Sequence, residues 1–508
     1  MQGLQLESGI RLLKRRYHQI LLDFKSQTLG DIVLHPVAWV TLTALSILFS
    51  ALIVKYGILS VAVIIAGVLC LPFVYTMLAY PRVGIIVLLT AAYLVMFVEK
   101  VGGHPPVGIF MDGLELLLFA GFFLKHKYDK SWAFTKSKVS VLLLLWVGYN
   151  FIEIINPVAA SRVAWLFTIR TVAVVTLTYF IFLYYINSVK QIRLILKLWI
   201  GLSLFAALYT LKQEYLGFSS FEKVWLADNP SASSLYFIGG HWRKFSIFSD
   251  PVALAYNMVI SMLLCFSLLF SNIRLYKKAL LGICMVFFLM ATLYSGTRGA
   301  FVLIPAGMAI VFILKLNLKT FIVGAIVASI FLVAINIPTS NQTFLRFQSA
   351  FKPSDDASYN VRKVNQKRIQ PYIKSHPMGG GLGSTGTWGQ RFSPNTYLAS
   401  FPPDSGFVRV AVETGWIGLI LLSAFLFTAL KTGINNYFQI KDTELKTYCL
   451  AMTAIIFALT IGNFPQEALV QFPINIYFYL ALALIIITLR LDRQKQSSGL
   501  SITTNLSS

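Results

Sequence analysis

Long apolar runs recur along the chain, separated by short polar turns. Val37–Val54, Gly57–Tyr80 and Val323–Ile337 are apolar nearly end to end. About twenty such residues span a bilayer as a helix. A backbone in lipid must satisfy its own hydrogen bonds, which leaves the helix as the reading of each run. The pattern predicts spans over 37–54, 57–80, 84–98, 109–124, 139–155, 163–187, 192–211, 251–271, 279–295, 299–315, 320–337, 407–430, 446–463 and 471–490. The fold expected is all-α, a polytopic transmembrane bundle of about fourteen helices. Arg170 interrupts one span, and 84–98 is short.

Composition agrees. The 508 residues are 57% hydrophobic and 12% charged, where a soluble domain carries roughly a quarter charged residues. The net charge of +23 would point to nucleic acid in a soluble chain. Here it gathers in short loops, the positive-inside signature, which excludes that class. Lys125, Lys127, Lys130, Lys136 and Lys138 fall on one side, followed by Lys190 and Arg193, Arg274, Lys277 and Lys278, Lys315 and Lys319, then Lys431 and Lys441. Arg490, Arg493 and Lys495 follow the last span on that side. One missed helix would reverse the alternation from that point, so an even count is expected, with both termini cytoplasmic. Two long loops, 212–250 and 338–406, then face outward. The second is rich in Lys and Arg, as befits a surface that meets an anion or lies against lipid headgroups.

Residues 1–36 lack the apolar core of a signal peptide. Ile10, Leu13, Tyr17, Ile20 and Phe24 fall at helical spacing beside Lys14, Arg15, Arg16 and Lys25, which reads as a basic amphipathic segment on the cytoplasmic leaflet or a disordered basic tail. The transmembrane domain is expected over 37–490, and 491–508 is a cytoplasmic tail. Cys70, Cys265, Cys284 and Cys449 lie in apolar runs without metal or disulfide spacing. No metal-ligand cluster and no cofactor motif appears, so none is expected.

Charges at the membrane edge are the chemical clues, because lipid makes them expensive. Arg298 sits in Tyr294-Ser295-Gly296-Thr297-Arg298-Gly299-Ala300, a turn between two apolar runs. Its guanidinium fork suits a phosphate, unless it only snorkels to headgroups. Arg243, near the end of the first long loop, is a second phosphate candidate. Asp250 before Pro251 reads as a helix cap. In the second loop Ser358–Lys374 is basic, and Pro371 is expected to break any helix there. Then come His376-Pro377-Met378-Gly379-Gly380-Gly381-Leu382-Gly383, a turn or anion nest without Walker spacing, and Pro402-Pro403-Asp404-Ser405-Gly406-Phe407 before a helix bearing Arg409 and Glu413. Asp404 can be a cap or a base.

The order of these elements resembles the O-antigen ligase and O-antigen polymerase superfamily of polytopic membrane proteins, most clearly over residues 240–430. Arg298 matches the arginine of that family's Ser-Arg-Gly turn. Arg362 is similar to the arginine opening the basic segment, Gly380, Gly381 and Gly383 match the glycine turn, and Glu413 and Gly415 match a Glu-x-Gly in the next helix. Family ligases carry His-Asn before that helix, where this chain has Asp404-Ser405, and that departure points toward a polymerase.

The resemblance implies a glycosyltransferase on the outer face of a bacterial inner membrane, acting in O-antigen, lipopolysaccharide or exopolysaccharide biosynthesis. Its donor would be a glycan on a polyprenyl diphosphate, its acceptor a growing glycan or lipid, and its neighbours membrane lipid and other polysaccharide-export components. Arg298, Arg362 and Arg243 would stabilise the departing diphosphate without a metal, and Asp404 would take the acceptor's proton. Arg368, His376, Gly380, Gly381, Gly383, Arg409 and Glu413 complete the expected substrate-binding set. The alternatives are a ligase and, from another class, a lipid-linked oligosaccharide flippase, transporter or small-anion permease. A transporter should show paired broken helices at mid-membrane, which the sequence lacks.

Overall fold

The computed structural model describes residues 39–40, 43–44, 46–47, 49–50, 54, 70–102, 107–129, 135–238, 240–352 and 357–505. The chain divides into two compact units, Met1–Tyr75 and Thr76–Ser508. The amphipathic segment expected over 1–36, and most of the spans expected over 37–54 and 57–80, lie outside the described residues. The second unit carries the rest of the account.

That unit is helical throughout its described residues, apart from one two-residue antiparallel pair, β1 (Phe237–Ile238) and β2 (His241–Trp242). Its first helices are α1 (Pro81–Val101), α2 (Val107–Asp129), α3 (Lys138–Ile152), α4 (Arg162–Tyr185) and α5 (Val189–Tyr215). After α6 (Ser220–Asp228), α7 (Pro230–Tyr236) and the β pair come α8 (Pro251–Leu269), α9 (Leu275–Ser295), α10 (Arg298–Leu314) and α11 (Leu318–Asn336). The second long segment folds into α12 (Gln342–Ser349), α13 (Ala357–Ser375) and α14 (Gly386–Phe392). The chain ends with α15 (Gly406–Glu413), α16 (Gly415–Gln439), α17 (Thr443–Gly462) and α18 (Ile474–Asn505). Ten helices among the described residues are long and apolar enough to cross a membrane, and α10 and α11 are shorter apolar helices. The expected count of about fourteen rests also on the two spans before residue 81.

The bundle is built around α8 and α18, whose most apolar windows are 83% buried, against 33% for α9 and α16. Phe321, Ile322, Val323, Ile326, Ile330 and Val333 stay exposed on α11. A water-soluble surface rarely carries so large an apolar patch, whereas a lipid-facing one does. Arg170 does not stand alone in α4. It reaches Asp112 on α2 at 2.6 Å, as a charge at membrane depth must.

The helix ends sort onto two faces. On one, Arg193 pairs with Glu444, Lys495 with Asp442, and Arg490 donates to the carbonyls of Leu183 and Ile186. Lys315 donates to the Phe270 carbonyl on the same side. These are the short turns rich in Lys and Arg. The other face carries 216–238, 240–250, 295–297, 337–352, 357–405 and 463–473.

Three expectations change. The span expected over 407–430 is broken into α15 and α16 by Gly415, which has φ +70°. A side chain there would put its Cβ 1.9 Å from the Pro377 carbonyl oxygen, so only glycine admits that crossing. Pro371 does not end α13, which runs through it to Ser375. Pro371 and Lys367, whose carbonyl loses its helical partner, are both exposed, so water can take the bond. Finally, the two long segments are about half helical, and the first begins only after Tyr215.

Candidate functional site

Two cavities open on the face of the long segments. The first, of about 370 Å³, is lined by His241, Arg243, Lys244, Gly296, Arg298 and Arg346 among others. The α9–α10 turn builds it. Gly296 closes α9 in the left-handed conformation at φ +59°, and Arg298 is the first residue of α10, at a helix end where backbone N–H groups favour an anion. Arg243 is locked against this turn, its Nε donating to the Ser295 carbonyl at 2.9 Å and an Nη to the Thr297 hydroxyl at 2.9 Å. Arg346 arrives from α12. Phe347 is buried and packs its ring on Phe301 at 5.4 Å, and a Cβ on Gly296 would stand 3.1 Å from the Arg346 Nε.

The electrostatics of this cavity are strained in one direction. Burial first, then the charges of Arg346 and Arg298, pull the Arg243 guanidinium down to about 10, against the opposing pull of Asp250 and Tyr236. A cavity lined by three arginines is arranged for an anion, which would offset the cost of holding the Arg243 charge there.

The second cavity, of about 410 Å³, is lined by Thr168, Thr171, Asp250, Trp388, Asp404, Arg409, Gln466, Glu467 and Gln471 among others. Asp250 is the cap that the sequence predicts. It accepts from the N–H groups of Val252 and Ala253 at 2.8 and 2.9 Å, and Gln471 donates to it at 3.1 Å. Asp404 is not a cap. Ser405 holds that place for α15, its side chain accepting from Val408 N–H. The Asp404 carboxylate is half-buried and accepts no hydrogen bond among the described residues. Burial lifts its pKa above the ordinary value, while the charge of Arg362 works against the rise. Asp250 joins the two cavities, since it lines the second and acts electrostatically on Arg243 of the first.

The glycine turn has a different fate. Gly380 N–H donates to the Val412 carbonyl and Gly381 N–H to the Glu413 carbonyl, each at 2.9 Å. The Glu413 carboxylate accepts from Gly383 N–H at 3.1 Å and from the Thr385 hydroxyl at 2.5 Å. Arg409 closes the knot with Nε 3.2 Å from Glu413 and an Nη 2.5 Å from Glu467. Burial opposes the Arg409 charge, and the two glutamates outweigh it, so its pKa is raised. The turn is an anion nest, as its glycines suggest, and the anion it holds is the chain's own Glu413.

The candidate residues therefore separate. Arg243 and Arg298 line the cationic cavity, Asp404 and Arg409 the second, and Arg362 stands within electrostatic reach of Asp404 and Tyr256. Gly380, Gly381, Gly383 and Glu413 form the knot. Arg368 is exposed on α13 and lines neither cavity. His376 stacks on Tyr372 at 3.9 Å, with its Nδ1 2.9 Å from the Tyr372 carbonyl, and also lines neither. Sequence reasoning missed Arg346 as a site residue, although aromatic Phe344 and Phe347 beside it mark an anchored helix. It also missed Trp388, Gln466, Glu467 and Gln471.

The family model described as O-antigen ligase matches residues 283–423. A comparison with curated proteins gave no match. The matched segment runs from α9 into α16 and contains Arg298, Arg346, Arg362, the glycine turn, Asp404 and the Glu413–Gly415 break, while Arg243 and Asp250 lie before it. Over that segment, which lies within a multi-pass helical architecture, the chain is similar to the O-antigen ligase family of membrane proteins.

Proposed function

We propose that this protein joins polyprenyl-diphosphate-linked glycan units on the outer face of a bacterial inner membrane, as an O-antigen or exopolysaccharide polymerase. The observation that carries the reading is the convergence of Arg243, Arg298 and Arg346 on one cavity at the start of α10. Such a cluster matches a diphosphate, which is both the anchor of the donor and the leaving group. An apolar groove of about 610 Å³ runs between α10 and α11, lined by Ile304, Met308, Phe312, Phe321 and Phe331 among others. It begins on the helix that carries Arg298 and opens at membrane depth, where it takes the polyprenyl tail.

The steps follow from charge. The arginines hold the diphosphate. An acceptor hydroxyl oxygen attacks the anomeric carbon, and the carbon–oxygen bond to the diphosphate breaks with its electron pair leaving on the phosphate. Arg243, Arg298 and Arg346 stabilise that developing charge. The hydroxyl proton passes to Asp404, whose carboxylate is free to accept it and whose raised pKa suits a base near neutral pH. Asp404-Ser405 in place of His-Asn favours a polymerase over a ligase. The lysine- and arginine-rich turns support a cytoplasmic position for their face.

Incubation of the purified protein with polyprenyl-diphosphate repeat units, followed by sizing of glycan and lipid products, tests the reading. Longer glycans with release of polyprenyl diphosphate are expected, with no dependence on added metal or on chelator. Extension only of a lipid A-type acceptor would make it a ligase. Intact donor appearing on the opposite leaflet of a vesicle would make it a transporter.

A further inference from the structure

The second cavity holds more than a base. The Trp388 indole forms one wall, fixed by Phe167 at 4.9 Å and by Phe392 at 5.9 Å. No hydrogen bond engages its N–H or the Gln466 side-chain amide among the described residues, and the Asp404 carboxylate is likewise unengaged. Thr168 and Thr171 donate their hydroxyl protons to the carbonyls of Ala164 and Thr168 at 2.8 and 2.7 Å, which leaves their oxygens as acceptors. The cavity thus combines an aromatic wall with donors from Trp388 and Gln466 and acceptors from Asp404, Thr168 and Thr171. The volume of about 410 Å³ falls within the roughly 300–1,000 Å³ of ligand pockets.

The charge of this cavity is the reverse of its neighbour's. Asp250, Asp404 and Glu467 line it, with Arg409 already tied to Glu413 and Glu467. A second phosphate would be repelled. A neutral polyol fits, with its C–H face on the indole and its hydroxyls on the alternating donors and acceptors.

Building on the proposed transfer reaction, we infer that this cavity is the acceptor-saccharide subsite, with Trp388 as the stacking platform and Gln466 as the residue that fixes which hydroxyl meets Asp404. The donor's diphosphate and the acceptor's sugar then lie on opposite sides of Asp250, which separates a cationic chamber from an acidic one.

The probe is the free repeat-unit oligosaccharide, released by mild acid from the host's polyprenyl-linked pool. Its binding to the full chain in nanodiscs is followed by saturation-transfer NMR, which needs no turnover. The parent should bind it, and inorganic pyrophosphate should not displace it. Trp388→Leu should weaken binding about tenfold or more, and Trp388→Phe less. Gln466→Ala should weaken it severalfold, and this variant guards against misfolding because its side chain is half-exposed and supports nothing. Binding of equal strength to the parent and to Gln466→Ala and Trp388→Leu would overturn the assignment, as would displacement by pyrophosphate or no binding to the parent. If the parent binds the oligosaccharide through Trp388 yet transfers nothing from a diphosphate donor, the subsite stands and the transferase reading falls.

Discussion

Two regions of this molecule look alike as sequence and differ as structure. The Arg298 turn and the 379–383 turn both set glycines beside charge between helices. At 379–383 the nest is filled from within the protein: Gly383 and Thr385 donate to Glu413, and Arg409 closes the arrangement. At 296–298 the surroundings are other cations, Arg243 and Arg346, around an open cavity. A glycine nest that already holds a carboxylate is scaffold. A cationic nest facing a cavity is a site. The difference lies in whether the turn packs onto a carboxylate of the chain or lines a cavity, and a sequence does not display that.

The largest effect should come from the cationic side. Arg298→Ala is expected to lower glycan transfer roughly 10³-fold with the protein still folded, the scale set by removing one donor to a developing oxyanion. Arg298→Lys should rescue poorly, since an ammonium does not reproduce the fork. Near-parental product from either variant, measured with polyprenyl-diphosphate donor, would take Arg298 out of the site.

Asp404→Asn should come next, at roughly a hundredfold or more in rate with donor binding retained. Ser405 caps α15, so the substitution removes no cap and melting should not move. Transfer within about threefold of the parent would leave the base to be sought elsewhere, first at His376.

The knot should behave in the opposite way. Glu413→Ala strands Arg409 and the donors of Gly383 and Thr385, at about 3 kcal/mol, the low end for breaking a buried pair because Arg409 keeps Glu467. Thermal unfolding should fall, while transfer per folded molecule stays within about threefold. Loss of transfer at unchanged stability would move Glu413 into the chemistry and erase the contrast between the two regions.

Much of this was legible beforehand. Apolar runs located the membrane-length helices from α1 onward because lipid permits little else, and Asp250 before Pro251 announced its cap. The break at Gly415 was hidden because its cause is the Pro377 carbonyl, brought from the preceding loop. The continuity of α13 was hidden because Pro371 acts only where its missing bond is buried. The meeting of Arg243, Arg298 and Arg346 was out of reach, since the three lie on separate elements and only packing, such as Phe347 on Phe301, joins them. Trp388 carries no motif at all. Its role depends on which residues surround it.

The smallest effect is the most discriminating, and it falls on Arg362, which lies within electrostatic reach of Asp404. The sequence resemblance gives it to the diphosphate, whereas the geometry gives it to the base. A base works when deprotonated, so transfer should fall as pH drops through the Asp404 pKa, which burial has already raised. Arg362 opposes that rise. Arg362→Gln should therefore lift the pKa further and move the acid limb of the rate profile to higher pH. The loss near neutral pH would be less than tenfold, and it should vanish at alkaline pH, where Asp404 is ionised in either protein. Arg362→Lys keeps the charge and should restore the limb. A diphosphate ligand behaves differently: its loss raises the donor KM at every pH and leaves the limb in place. Rate profiles of the parent and the two variants, at saturating and at limiting donor, assign Arg362 to one chamber or the other.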